Sequence, residues 1–184
     1  GKTVSDYSED EIARKISVRS SLTHVNTDYC KINFIDAPGA GDFVGEAILA
    51  IRSTETALLV IDGKSGVQIE TVKLWRILER QKRPRMIFVT RLDEDRANFS
   101  NTLADIKEKF RVSPVPVTIP MGEGTSFRGI IDVLNNKAYM RPSSHDQKEV
   151  ASEVPAEYSE SVESARALLS EAAAEGNDEL MEKY

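Results

Sequence analysis

The chain has one cysteine, two histidines and one tryptophan among 184 residues. A lone thiol, Cys30, excludes an intramolecular disulfide and suits a reducing compartment such as the cytoplasm. His24 and His145 stand apart, so no zinc site of the usual ligand spacing is expected. No apolar run reaches the length of a membrane span, and the N-terminus lacks the pattern of a signal peptide. Basic residues are also in deficit, with 24 Lys and Arg against 30 Asp and Glu for a net charge of −6. That balance argues against a DNA binder working through a basic groove, while leaving room for local docking on a ribonucleoprotein.

Ordinary globular content fills the rest, with 40% hydrophobic and 29% charged residues. Four apolar runs read as buried strands: 31–35, 57–61, 85–89 and 115–119. Helical spacing of apolar residues falls between or after them, at 43–51, 67–78 and 97–110. Alternating strand and helix predicts an α/β fold with a mostly parallel sheet and helices on both faces. Ahead of the first run, 17–25 is β-rich and Asn26-Thr27-Asp28 signals a turn, so a hairpin should add an antiparallel edge strand. Earlier still, Ser8-Glu-Asp-Glu11 fits a capping box, with Glu9, Asp10 and Glu11 read as a solvated helix start.

The pattern changes after residue 120. A loop at 122–126 leads into mixed short β and helical patterns, and 141–153 is polar and reads as a linker. Tyr158, Val162, Ala165, Leu169 and Ala172 then form a helical stripe between Pro155 and Gly176, and Asn177-Asp178 starts another helix. Trp75 and Cys30 read as core residues.

Two strand ends carry the residues suited to chemistry, because ligands of open α/β sheets bind at the carboxyl ends of strands. At the first, Asp36-Ala-Pro-Gly39 can be a Mg²⁺-holding carboxylate and an unobstructed amide for a phosphate, or simply a turn into a helix. At the second, Thr90-Arg-Leu-Asp93 offers a carboxylate able to accept two hydrogen bonds from a guanine edge, or a loop cap. No glycine-rich dinucleotide turn follows a strand, which disfavours other nucleotide classes.

Order and spacing together resemble the translational GTPases, with elongation factor G the nearest family pattern. Its Asp-Thr-Pro-Gly-His-Val-Asp-Phe is similar to Asp36-Ala-Pro-Gly-Ala-Gly-Asp-Phe43, and its Asn-Lys-x-Asp to Thr90-Arg-Leu-Asp93. Gly66-Val-Gln with Thr71 and Trp75, Pro114-Val-Pro-Val117, Phe127-x-Gly-Ile-Ile-Asp132 and the segment 171–184 extend the likeness across nearly the whole chain. The resemblance implies a P-loop GTPase-type core over 1–120 and part of an inserted α/β subdomain over 121–184. It implies GTP or GDP with Mg²⁺ as ligands, the ribosome as partner, and a translocation-type role in the cytoplasm.

On that resemblance, Ser17 takes the place of the Mg²⁺-ligating threonine, and Ser17 and Asp36 hold the metal. Nucleotide contacts fall to Asp36, Pro38, Gly39, Thr90, Arg91 and Asp93, with Arg91 stacking on the base. No catalytic residue carries over, since Ala40 replaces the histidine that positions water. Thr90 replaces the guanine-motif asparagine, and Lys15 replaces a first-switch glycine, implying a different path there. A degenerate ribosome-binding paralogue with lapsed hydrolysis is the alternative. Gly1-Lys2-Thr3 imitates a phosphate loop, but too few residues separate it from Asp36 for a helix, the first switch and a hairpin. The expectation is a fragment lacking the first strand, the phosphate loop and the last guanine loop, with unpaired sheet edges open to self-association.

Overall fold

A computed structural model describes residues 3–141 and 151–175. The expectations resting on Gly1-Lys2, on 142–150 with His145, and on 176–184 lie outside the described residues. Contacts divide the chain into two compact units, Gly1–Ile61 with Val67–Phe88, and Asp62–Gly66 with Val89–Tyr184.

In the first unit, α1 (Glu9–Arg14) starts at a complete capping box. Ser8 accepts from the Glu11 amide, and Glu11 accepts from the Ser8 amide. Strands β1 (Ser21–Asn26) and β2 (Lys31–Asp36) form the expected antiparallel hairpin, with Ser21 opposite Asp36 and Asn26 opposite Lys31. A 3-10 turn, Gly41–Phe43, leads into α2 (Val44–Ser53). Strand β3 (Ala57–Asp62), α3 (Ile69–Arg80) and β4 (Arg85–Thr90) follow as a β–α–β unit. The Ala57 amide donates to the Pro84 carbonyl and the Gly63 amide to the Thr90 carbonyl, so β3 and β4 run parallel. Trp75 and Leu78 of α3 are buried, and the Arg85 guanidinium lies 4.0 Å from the centre of the Trp75 ring.

Among the described residues, β1 is paired with β2 and β3 with β4, so the expected hairpin and the parallel pair each form a two-stranded sheet. Two expectations change here. The strands are not buried on both sides. Leu59 and Ile61 are covered while Leu58, Val60, Met86 and Phe88 are exposed, as is most of β2. An apolar run reports what a strand is suited to touch, and among the described residues nothing covers that second face. Cys30 is exposed in the hairpin loop, where its Sγ lies 3.6 Å from Thr27 Oγ1, and is not a core residue.

The second unit takes the tips of β3 and β4, then α4 (Phe99–Phe110), whose Asn98 cap accepts from the Asn101 amide. A four-stranded antiparallel sheet follows in the order β5 (Thr118–Met121), β6 (Gly129–Asp132), β7 (Lys137–Met140) and β8 (Ala151–Ser152). Strand β5 starts three residues later than 115, because Pro114 and Pro116 have no amide to donate to a ladder. Helix α5 (Ser159–Glu175) sets Val162 into a core with Met121, Ile131 and Ala138. Its buried face runs through Val162, Ala165 and Ala174; Ala172, expected on the stripe, is exposed.

Candidate nucleotide-binding site

The segment expected to be the first switch is organised by carboxylates. Glu11 is only 2% exposed, which corrects its reading as a solvated helix start. Its Oε1 accepts from the Val18 and Arg19 amides, and its Oε2 accepts from the Ser8 amide and hydroxyl. The Val18 amide, the Ser8 hydroxyl, the Arg19 amide and the Ser8 amide, in that order, hold its carboxyl down to about 2. The segment leaving α1 is thus tied back onto that helix. Lys15 closes α1 in the left-handed conformation, φ 57 and ψ 37, which glycine would adopt without strain.

Ser17 is half-buried and donates its hydroxyl to Asp6 Oδ1 at 2.8 Å. Asp6 is a partner of Ser17 that sequence reasoning missed; a half-buried acid on an irregular segment gives no periodic signal. Ser20 donates its amide to Glu46 Oε2 at 2.8 Å, joining the segment before β1 to α2. That contact is the main cause holding the Glu46 carboxyl below the ordinary range.

Asp36 ends β2 and is exposed, Pro38 is buried, and Gly39 and Ala40 are exposed before the 3-10 turn. A Cβ added at Gly39 would meet no atom within 4 Å. Beside this turn lies a small groove of about 50 Å³ bordered by Pro38 to Gly41, Val44, Ala47, Glu70, Lys73 and Leu74.

In the second unit, Thr90 ends β4 with its carbonyl accepting from the Gly63 amide at 2.8 Å. Arg91 is left-handed, φ 58. Its Nη1 lies 2.8 Å from Asp62 Oδ2 and its Nε 3.0 Å from Glu94 Oε1. Asp62 Oδ1 accepts from the Lys64 and Ser65 amides, so one carboxylate closes its own turn and holds Arg91. The Arg91 hydrogen bond is the first cause holding Asp62 below the usual carboxylate range. The expected stacking role of Arg91 therefore starts from a guanidinium whose edge is already engaged. Asp62 was also missed, although Asp62-Gly63-Lys64-Ser65-Gly66 carries a turn signal. Asp93 is exposed, with Oδ2 3.0 Å from Arg141 Nη1.

The chain order of an Asp-x-Pro-Gly turn after β2, a β–α–β unit and an Asp-bearing loop after β4 matches an α/β nucleotide-binding fold. The family model described as the elongation factor Tu GTP binding domain matches residues 1–182, and the chain belongs to that family. Within it the chain is elongation factor G-like. It is 34% identical to elongation factor G of Mycoplasma pneumoniae and to that of Mycoplasma genitalium, each over all 184 residues. A solved structure from Thermus thermophilus matches the whole chain with a TM-score of 0.89 at 34% identity. The chain spans 27% of the length of these relatives.

Proposed function

We propose that this chain is part of the GTP-binding domain of an elongation factor G-like factor, whose nucleotide state sets its hold on the ribosome during protein synthesis in the cytoplasm. Residues 1–120 are its partial GTPase core, and 121–184 part of the inserted subdomain. Gly39 carries the reading. Its backbone is not left-handed and no atom lies near the place a Cβ would take, so neither strain nor crowding within the chain asks for glycine. A ligand does: a phosphate at the Gly39 amide needs the space that a Cβ would fill.

The side chains assigned to the metal, Ser17 and Asp36, and the Ser17 partner Asp6 suit Mg²⁺. Ser17, Asp6 and Asp36 offer only hard oxygens, and no cluster of three or more acidic, His or Cys ligands occurs among the described residues. Mg²⁺ commonly keeps waters and takes one or two carboxylates beside substrate phosphates, so a sparse donor set fits it. When bound, the ion would neutralise charge on the β- and γ-phosphates. Ser17 and Asp36 would hold it, with Ser17 exchanging its bond to Asp6. Pro38 fixes the entry to the turn, and the Gly39 amide senses the γ-phosphate and orders 39–44. In the second unit, Thr90, Arg91 and Asp93 are the residues assigned to guanine, with Asp93 accepting from the base.

Ala40 offers no polar side chain to position water. Loss of one positioning group commonly costs about 10²–10³ in rate, so hydrolysis is slow. The test is calorimetry of the full-length protein with GTP, GDP and ATP, together with ribosome pelleting in each nucleotide state. Selective guanine binding and nucleotide-dependent pelleting support the reading. Ribosome binding indifferent to nucleotide, with no guanine binding, would sink it.

A further inference from the structure

The carboxylate assigned to guanine already has a partner. Arg141, just beyond the end of β7, places Nη1 3.0 Å from Asp93 Oδ2. Its backbone amide donates to the Arg128 carbonyl at 2.6 Å, so the residue is anchored to the chain beside β6. Guanine presents two adjacent donors, N1–H and the 2-amino group, and a carboxylate accepts them with both oxygens. A guanidinium presents adjacent N–H donors of the same kind and geometry. The two groups therefore compete for one acceptor.

We infer that Arg141 is an internal competitor of the guanine base, occupying Asp93 until nucleotide displaces it. The inference rests on the assignment of Asp93 as the guanine-reading residue. Both side chains are about half exposed, 56% for Arg141 and 41% for Asp93, so the pair opens readily. An exposed pair of this kind is closed for part of the time, and the apparent affinity falls by the fraction that is open. The expected cost is about two- to fivefold in guanine nucleotide affinity, largest at low ionic strength, because an exposed pair is screened by salt. Competition at the base edge is indifferent to the phosphates, so GDP and GTP should be affected alike.

The experiment is a titration of the full-length protein with a fluorescent GDP at 20 mM and 500 mM salt, in four forms. These are the natural sequence, Arg141→Ala, Asp93→Asn and the double variant. Arg141→Ala should bind about two- to fivefold more tightly at low salt, with the gain shrinking at high salt and absent when Asp93→Asn is already present. A large loss in Asp93→Asn with no change in Arg141→Ala would overturn the competition while leaving the guanine assignment intact. Weaker binding in Arg141→Ala would also overturn it, making Arg141 a nucleotide contact. No effect of Asp93→Asn on GDP affinity would remove the assignment and the inference together.

Discussion

A methyl group added at Gly63 would lie 2.8 Å from Leu92 Cδ2 and 3.1 Å from the Thr90 carbonyl oxygen. The leucine tip can yield, but the backbone oxygen accepts the Gly63 amide and cannot move without breaking that bond. Gly63→Ala should therefore destabilise the protein by about 1–3 kcal/mol, read from urea unfolding. Gly39→Ala has open space around it and should change stability by less than about 0.5 kcal/mol. If the Gly39 amide meets a phosphate, the same variant should lose affinity for GTP more than for GDP; equal affinities would remove that role. Glu11 gives a pH prediction. Its folded value of about 2 lies below the ordinary 4.5, so its contribution is fully present above 4.5 and is lost as pH falls toward 2. The protection factors of the Val18 and Arg19 amides, exchange taken relative to the intrinsic rate at each pH, should fall across that window, and Glu11→Gln should abolish that fall. Protection factors that stay flat from pH 5 to 2.5 in the natural sequence would contradict it.

At the scale of elements, α1 ends on a left-handed lysine where glycine is the unstrained choice. Lys15→Gly should stabilise by about 0.5–1 kcal/mol, since the left-handed conformation costs a Cβ-bearing residue roughly that much. A thermal midpoint that falls in this variant would mean that the lysine side chain contributes more than its backbone costs. The caps and amphipathic helices were legible because each depends on residues a turn apart: Ser8 with Glu11, and the α3 stripe that buries Trp75 and Leu78. The start of β5 was less so, since apolar Val115 and Val117 outweighed the prolines beside them in a reading by hydrophobicity. The places of Asp36, Gly39 and Asp93 after strands were legible, because a strand end followed by a turn is a local pattern. Asp6, Glu46, Asp62 and Arg141 were not. Each acts through a partner distant in sequence or a single irregular contact, and neither leaves a period to read.

For the molecule as a whole, the uncovered strands dominate. Ile32 and Phe34 of β2, Leu58 and Val60 of β3, and Met86 and Phe88 of β4 are between 40% and 58% exposed. Single exposed apolar residues are ordinary, but six on three strands of one unit are an unusual concentration. Among the described residues, the two-stranded sheets also leave strand edges unpaired, and such edges template pairing with another chain. The net charge of −6 opposes association at low salt and is screened as salt rises. The isolated 184-residue polypeptide should therefore self-associate at tens of micromolar, more strongly at 0.5 M than at 0.05 M salt, as light scattering after size exclusion would register. Val60→Lys with Phe88→Glu places a charge of each sign on the exposed face without touching buried Leu59 or Ile61, and should shift the protein toward monomer. Monomeric behaviour of the natural sequence at 100 μM in high salt would show that this face does not drive association. If the paired variant fails to dissolve the assembly, association runs through strand edges, and a proline in β2 at Asn33, opposite His24, becomes the discriminating change.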